Sequence, residues 1–456
     1  MQRLSVGLVA LQGIVVVLAL SWAVPSSAEP LSIDSLQQKP AAQKEIPELV
    51  SAQEKLRKGD VEGALADMKA AAAKHPNLSP GETMMAHIYS RTNRPSTVRY
   101  WLERAVVESP DDPEAYAMLG QDALQNKRIA EARLLFKKTY ELLANYNGDE
   151  NRKKQLQALT FRQLAALAMG RKEWPMATGY LDELLKLRPD DKDALQLLAR
   201  VLFEEGKPEE AIEKLKAAKL TDVEMLTPEA MVAQWYEGAD DRDNAIKYMT
   251  AALKKAGRDY KTRFVAADWA FKAQSFDQAR TQADAALKLA GMQDINPSPA
   301  LTLAGSIAIF QGDYPTAEKY LLEAVAKSPA TFPASNNLAL ALCEQDNEDK
   351  QKLALQYAKI NAALYPQDSN YYIEALSTLG RVLFRLGDYK EADAVFRKVI
   401  STGRPLSPDT VYYIADLYAA TDRRDDAKKL LASVEKKEGL FSQRENAKKL
   451  LEKLGQ

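Results

Sequence analysis

Residues 194–218 read ALQLLARVLFEEGKPEEAIEKLKAA. Leu198, Ala199 and Leu202 recur at helical spacing, so one face of a first helix is apolar. Gly206-Lys207-Pro208 breaks that helix, and Ala211, Leu215 and Ala218 mark the inner face of a second. Pro113 to Thr139 has the same grammar: Tyr116, Leu119, Gly120 and Ala123, then the polar turn Gln125-Asn126-Lys127, then Ala132, Phe136 and Thr139.

Working outward, the small residue of the first helix returns along nearly the whole chain. The series is Ala52, Ala86, Gly120, then Ala165, Ala199, Ala233, Ala267, then Gly305, Ala339, then Gly380 and Ala415. Within the first three groups the step is 34 residues. A second series follows it, 12 residues behind for most of the chain: Ala64, Val98, Ala132, Ala177, Ala211, Ala245, Ala279, Ala317, Ala354, Ala392 and Ala427, with Val98 the one departure from alanine. A 34-residue period is the length of one helix–turn–helix unit in a stacked array. Small side chains at two points per unit let two backbones approach closely.

The punctuation agrees. Gly59, Gly206, Gly312 and Gly387 fall between the helices of their units, where a helix C-terminus takes up left-handed backbone. Pro76, Pro110, Pro189, Pro329 and Pro366 follow second helices and stop their growth. No run of alternating polar and apolar residues suggests strands. Asn145 to Lys154 inserts about one helix's worth of residues, with the turn signal Asn147-Gly148. The stretches Asp346–Lys350, Met292–Pro299 and Ser401–Pro408 also break the phase. Phe441 to Leu454 reads as a last amphipathic helix covering the apolar end of the stack, as a repeat array requires.

Composition narrows the function classes. Lys plus Arg is 62 and Asp plus Glu is 63, a balance that speaks against a large basic surface for nucleic acid. With one cysteine, Cys343, and two histidines, His75 and His87, there is no disulfide framework and no Cys/His zinc set. Cys343 reads as a small packing residue on a helix. The chain shows no P-loop, no dinucleotide fingerprint, no His-Glu-x-x-His and no nucleophile with a plausible base. Its paired acids (Asp111-Asp112, Asp190-Asp191, Glu209-Glu210, Asp240-Asp241) lie in turns or first helical turns, where acids favour the helix dipole. No enzyme, cofactor or metal site is expected.

Residues 1–28 read as a secretory signal peptide: Arg3, an apolar run from Leu4, then Pro25-Ser26-Ser27-Ala28 with cleavage after Ala28. The competing reading is an uncleaved membrane anchor through residues 4–24, which are long enough to span. Either reading puts the body outside the cytoplasm, periplasmic or secreted, or anchored at the inner membrane facing outward. Residues 29–44 read as a flexible linker.

Gly312-Asp313-Tyr314-x-x-Ala317 and Gly387-Asp388-Tyr389-x-x-Ala392, with the alanine and proline positions above, resemble the tetratricopeptide repeat family. The resemblance covers residues 45–437 in about eleven units, with residues 438–456 as the C-terminal cap. It implies an all-α, right-handed superhelical solenoid whose concave face is lined by first helices and takes protein or peptide segments. Carried onto this sequence, the inward positions are Gln53, His87, Gln121, Arg162, Gln196, Arg200, Phe203, Gln234, Phe264, Asp268, Phe271, Asn336, Arg381, Phe384, Tyr412 and Asp416. Two clusters stand out: Arg200, Phe203, Gln234, Phe264 and Phe271 from three consecutive units, and Arg381, Phe384 and Tyr412 from the last two. Phenylalanines beside arginine and glutamine offer apolar anchors with hydrogen-bond donors, although such rings also serve as core. The lysine–asparagine pattern that clamps a chain-end carboxylate in some relatives does not recur.

The expected function is a non-enzymatic scaffold or adaptor outside the cytoplasm, supporting assembly of an envelope, secretion or surface-polymer complex. Two alternatives stand beside it. One is a membrane-anchored complex subunit using its convex face. The other is a polysaccharide-binding accessory protein whose inner aromatics stack on sugar.

Overall fold

The structure, a computed structural model, describes residues 46–91, 95–221, 225–255, 257–369 and 371–455. The expected signal peptide or anchor and the linker lie outside the described residues. Among the described residues every regular element is a helix, and no helix is long and apolar enough to cross a membrane. The chain divides into two compact units, with the boundary between Gly238 and Ala239.

The first unit contains α1 (Pro47–Arg57), α2 (Val61–Lys74), α3 (Gly81–Ser90), α4 (Pro95–Glu108), α5 (Pro113–Gln125), α6 (Ile129–Ala144), α7 (Glu150–Gly170), α8 (Trp174–Leu187), α9 (Lys192–Glu204), α10 (Pro208–Thr221) and α11 (Pro228–Gly238). The second contains α12 (Arg242–Lys255), α13 (Tyr260–Lys272), α14 (Phe276–Gln293), α15 (Ser298–Phe310), α16 (Tyr314–Lys327), α17 (Phe332–Cys343), α18 (Glu348–Leu364), α19 (Tyr372–Arg385), α20 (Tyr389–Ser401), α21 (Pro408–Ala420), α22 (Arg424–Glu435) and α23 (Arg444–Gly455). Within each unit, consecutive helices pack as antiparallel hairpins, as short connections between helices favour.

The small-residue series sits where the helices of a hairpin meet. All eleven of its members are buried: Ala52, Ala86, Gly120, Ala165, Ala199, Ala233, Ala267, Gly305, Ala339, Gly380 and Ala415. The alanines of the second series are buried as well, and Val98 is partly buried against the core of Met85 and Leu102. The three glycines explain the first series most directly. A Cβ at Gly120 would lie 2.9 Å from the ring of Phe136, one at Gly380 2.6 Å from the ring of Phe396, and one at Gly305 would overlap Leu321. Phe136, Leu321 and Phe396 occupy the same register in their second helices, so each large side chain is accommodated by the missing one opposite it.

The hairpin turns are built as the sequence reading expects. Gly59, Gly206, Gly312 and Gly387 have φ of +82°, +77°, +73° and +81°. At α9 the Gly206 N–H donates to Phe203 O at 2.9 Å and the Lys207 N–H to Leu202 O at 2.9 Å, which satisfies two end carbonyls of the helix. Asp60, Asp313 and Asp388 then accept from the N–H three residues on and open the next helix. So in each Gly-Asp pair the glycine closes one helix and the aspartate starts another. Lys127, Lys172, Gln274 and Asp422 hold the same left-handed backbone at +58° to +60° without being glycine.

The residues inserted around Asn145 to Lys154 divide between a turn and a helix. From Glu150 they extend α7, which reaches 21 residues, and Asp149 caps it by accepting from the Arg152 N–H at 2.8 Å. The last helix starts at Arg444 rather than Phe441, because the Asp409 carboxylate binds the Ser442 hydroxyl at 2.7 Å and the Gln443 N–H at 3.0 Å and holds those residues in a turn. Ala447 and Leu454 of α23 do cover the end of the stack, in one core with Leu431 and Val434.

Candidate functional site

In the first unit, α9 and α11 bring an arginine and three aromatics together. The guanidinium of Arg200 lies over the ring of Phe203 at 5.2 Å and over that of Trp235 at 5.2 Å. Phe203 meets Trp235 at 5.3 Å and Tyr236 edge-on at 4.8 Å. All four residues are half-buried, as are the neighbouring Gln196 and Gln234. Arg200 also pairs with Glu204 one turn on, which fixes its position over the rings without enclosing it. The patch therefore offers apolar area and a partly solvated donor at one place. Arg162, on α7, is half-buried and committed to Asp191 at 2.5 Å and Asp193 at 3.6 Å. Gln53 is exposed, Gln121 half-buried and His87 buried.

His87 belongs to a buried polar network instead of a groove. Its Nε2 lies 2.8 Å from Glu114, which also accepts from Ser79 at 2.5 Å and from Arg152 Nε at 2.9 Å. Arg152 further reaches Asp112 at 2.6 Å and Tyr146 at 2.8 Å. Burial alone would raise the Glu114 carboxyl, but Arg152 and His87 beside it outweigh burial and hold it well below the usual range. Ser79 binds the glutamate and not the imidazole, so the geometry lacks the hydroxyl–base contact of a nucleophilic triad. What the network does is tie the lengthened α7 to α3 and α5.

In the second unit the residues expected at the groove divide. Phe264 is half-buried and stacks on Tyr260 at 6.1 Å, and Asp268 pairs with Lys272 at 2.7 Å. Phe271 is a core residue, edge-on to Phe310 at 4.9 Å and 6.0 Å from Phe276. Asn336 is buried. Arg381, Phe384 and Tyr412 do come together, with Arg381 5.3 Å from the ring of Phe384, 5.6 Å from Tyr412 and 5.1 Å from Tyr413. Yet Arg381 is only 3% exposed. Its guanidinium grips Glu344 through Nε at 2.5 Å and Nη2 at 3.1 Å, and reaches Asp416 through Nη1 at 2.7 Å. Burial would lower its pKa, but Glu344 and Asp416 hold it well above the ordinary value. This patch is satisfied internally. Burial, then the Asp416 charge, likewise raises the Tyr412 hydroxyl.

Several site residues carry no signal in the inward positions of single units. Trp235 and Tyr236 follow Gln234 directly, so a glance one residue along would include them. Glu344 is 37 residues before Arg381, and Asp416, already among the inward positions, lies 35 after it, an acid about one repeat away on each side. Leu440 and Gln443 gave none: they reach α13–α16 from the far end of the unit. Cys343 is buried and burial raises its thiol, in keeping with a packing residue. Among the described residues no group of potential ligands is arranged for a metal ion.

Comparison with known proteins matches the tetratricopeptide repeat at residues 95–150 and 302–369, at 168–225 and at 373–402. No curated protein matches the chain. Among solved structures it is similar to yeast Tom70, at 15% identity over 90% of this chain and 95% of that one, with a TM-score of 0.35. It is also similar to the Cut9–Hcn1 hetero-tetramer of APC/C, at 13% identity over 92% and 98% with a TM-score of 0.40, and to the type IV pilus biogenesis factor PilW, at 18% over 50% and 97% with 0.38. At those values the likeness carries nothing about partner or pathway. The matched segments and the glycine–phenylalanine register of the hairpins agree, and the chain carries tetratricopeptide repeats in both of its units.

Proposed function

We propose that the protein is a non-catalytic adaptor that holds a segment of another protein against its first helices. The observation that carries this reading is the Arg200–Phe203–Trp235–Tyr236 patch. Its arginine, unlike Arg381, is neither sealed nor neutralised from two sides, and arginine with aromatic rings is the composition that dominates binding energy at protein interfaces. The place of action is outside the cytoplasm, in assembly of an envelope, secretion or surface-polymer complex. Support for that location is the Arg3, Leu4–Val24 and Ala28 pattern.

The test is a photo-crosslinking residue at Gln234 in intact cells, followed by identification of what is captured. The expected result is a small set of proteins, lost when Phe203 and Trp235 are both changed to alanine. Half-buried rings also stack on sugars, so capture of polysaccharide and of no protein would replace this reading by the polysaccharide-binding one.

A further inference from the structure

Residues 436–443 join α22 to α23 without forming helix, and their side chains part in two directions. Phe441 turns into the end of the stack, buried in one core with Leu431, Val434 and Ala447. Leu440 packs instead against the core of α13–α15 that contains Phe271 and Ile307, against which Phe276 and Phe310 also pack. The Gln443 amide donates to the Tyr314 hydroxyl at 3.2 Å, across 129 positions of sequence. Gln443 is buried and Leu440 half-buried. Among the described residues the main helix–helix packing of this unit joins helices at most two apart in the chain, so this reach is of a different kind. The chain has laid one of its own non-helical segments on a distant set of helices, by the mixture of apolar anchor and neutral hydrogen bond that holds a bound peptide.

We propose that the surface around Phe271, Phe276, Phe310 and Tyr314 is a binding site for an extended protein segment. Its ligand has the chemistry that Leu440 and Gln443 present there: an aliphatic anchor and, three residues on, a neutral hydrogen-bond donor. The chain's own segment occupies the site until a partner displaces it. The inference rests on the reading of these repeats as a holder of protein segments, but on residues that the Arg200 patch does not share. A tethered occupant acts at an effective concentration on the order of millimolar, so only a tighter or locally concentrated partner opens the site.

The experiment uses the full chain and a fluorescent peptide spanning residues 437–444. The double variant Leu440→Ala/Gln443→Ala removes the two long-range contacts and keeps Phe441 and the Asp409 clasp. The peptide should bind this variant at least tenfold more tightly than the parent, and Tyr314→Phe added to it should weaken binding again. Equal binding to parent and variant, with unchanged circular dichroism and melting, overturns the proposal. Should the double variant fail to fold, NMR on the parent decides: excess peptide should shift the Leu440 methyl resonances, and unchanged resonances overturn the proposal. The peptide is the chain's own sequence, so failure here leaves the Arg200 patch standing, and failure of the crosslink at Gln234 leaves this site standing.

Discussion

The ring of Phe396 fills the space that a side chain at Gly380 would need, with a Cβ there only 2.6 Å from the nearest ring carbon. Gly380 is on α19 and Phe396 on α20, so the contact sets how closely the hairpin closes. Gly380→Val should therefore lower stability by about 1–3 kcal/mol through overpacking. Gly179, exposed on α8 with nothing near its Cβ direction, is the control: Gly179→Ala should raise stability by about 0.5–1 kcal/mol from helix propensity alone. Urea unfolding of the two variants checks both signs. Ala211→Leu, at a wholly buried member of the second series, should behave like Gly380→Val.

Gln274 carries φ of +60° at the position that Gly206, Gly312 and Gly387 hold elsewhere. Left-handed backbone costs a residue with a Cβ about 1–2 kcal/mol. Gln274→Gly should recover part of that, less the added freedom of the unfolded chain, and raise the melting temperature. The Gln274 side chain is exposed in a turn, so the substitution removes no buried contact.

Glu114 is wholly buried and its folded-state pKa is lowered. A lowered acid pKa stabilises the fold above the unfolded value of 4.5 and loses that contribution as the pH falls toward the folded value. The parent should accordingly lose stability on acidification below about pH 4.5, and Glu114→Gln should show a shallower acid limb. At neutral pH, Glu114→Gln should cost about 3–5 kcal/mol, because Arg152 stays buried with one of its two acids gone. Melting temperature against pH for the two proteins checks both.

Arg381 holds two carboxylates through three hydrogen bonds, two of them a fork onto Glu344. A lysine has no fork, so Arg381→Lys should destabilise the second unit almost as much as Arg381→Met, although it keeps the charge. Equal melting of Arg381→Lys and the parent would contradict the assigned geometry.

The repeat was legible because its evidence is local and recurrent: small residues at 34-residue steps, Gly-Asp pairs at turns, prolines after second helices. Position within a unit says which way a side chain points, which is why Arg381, Phe384 and Tyr412 were found together. It does not say what covers that side chain. Arg381 is sealed by Glu344 and Asp416 from neighbouring units, and Phe271 is drawn into a core by Phe276 and Phe310. Leu440 and Gln443 lie outside the period altogether, so their reach to α13–α16 depends on how the second unit folds upon itself.

The most direct test of the account is the affinity of the partner captured at Gln234 for the parent and for Trp235→Ala. The account predicts at least a tenfold loss, about 1.4 kcal/mol or more, with melting unchanged. Equal affinity in two equally stable proteins would contradict it.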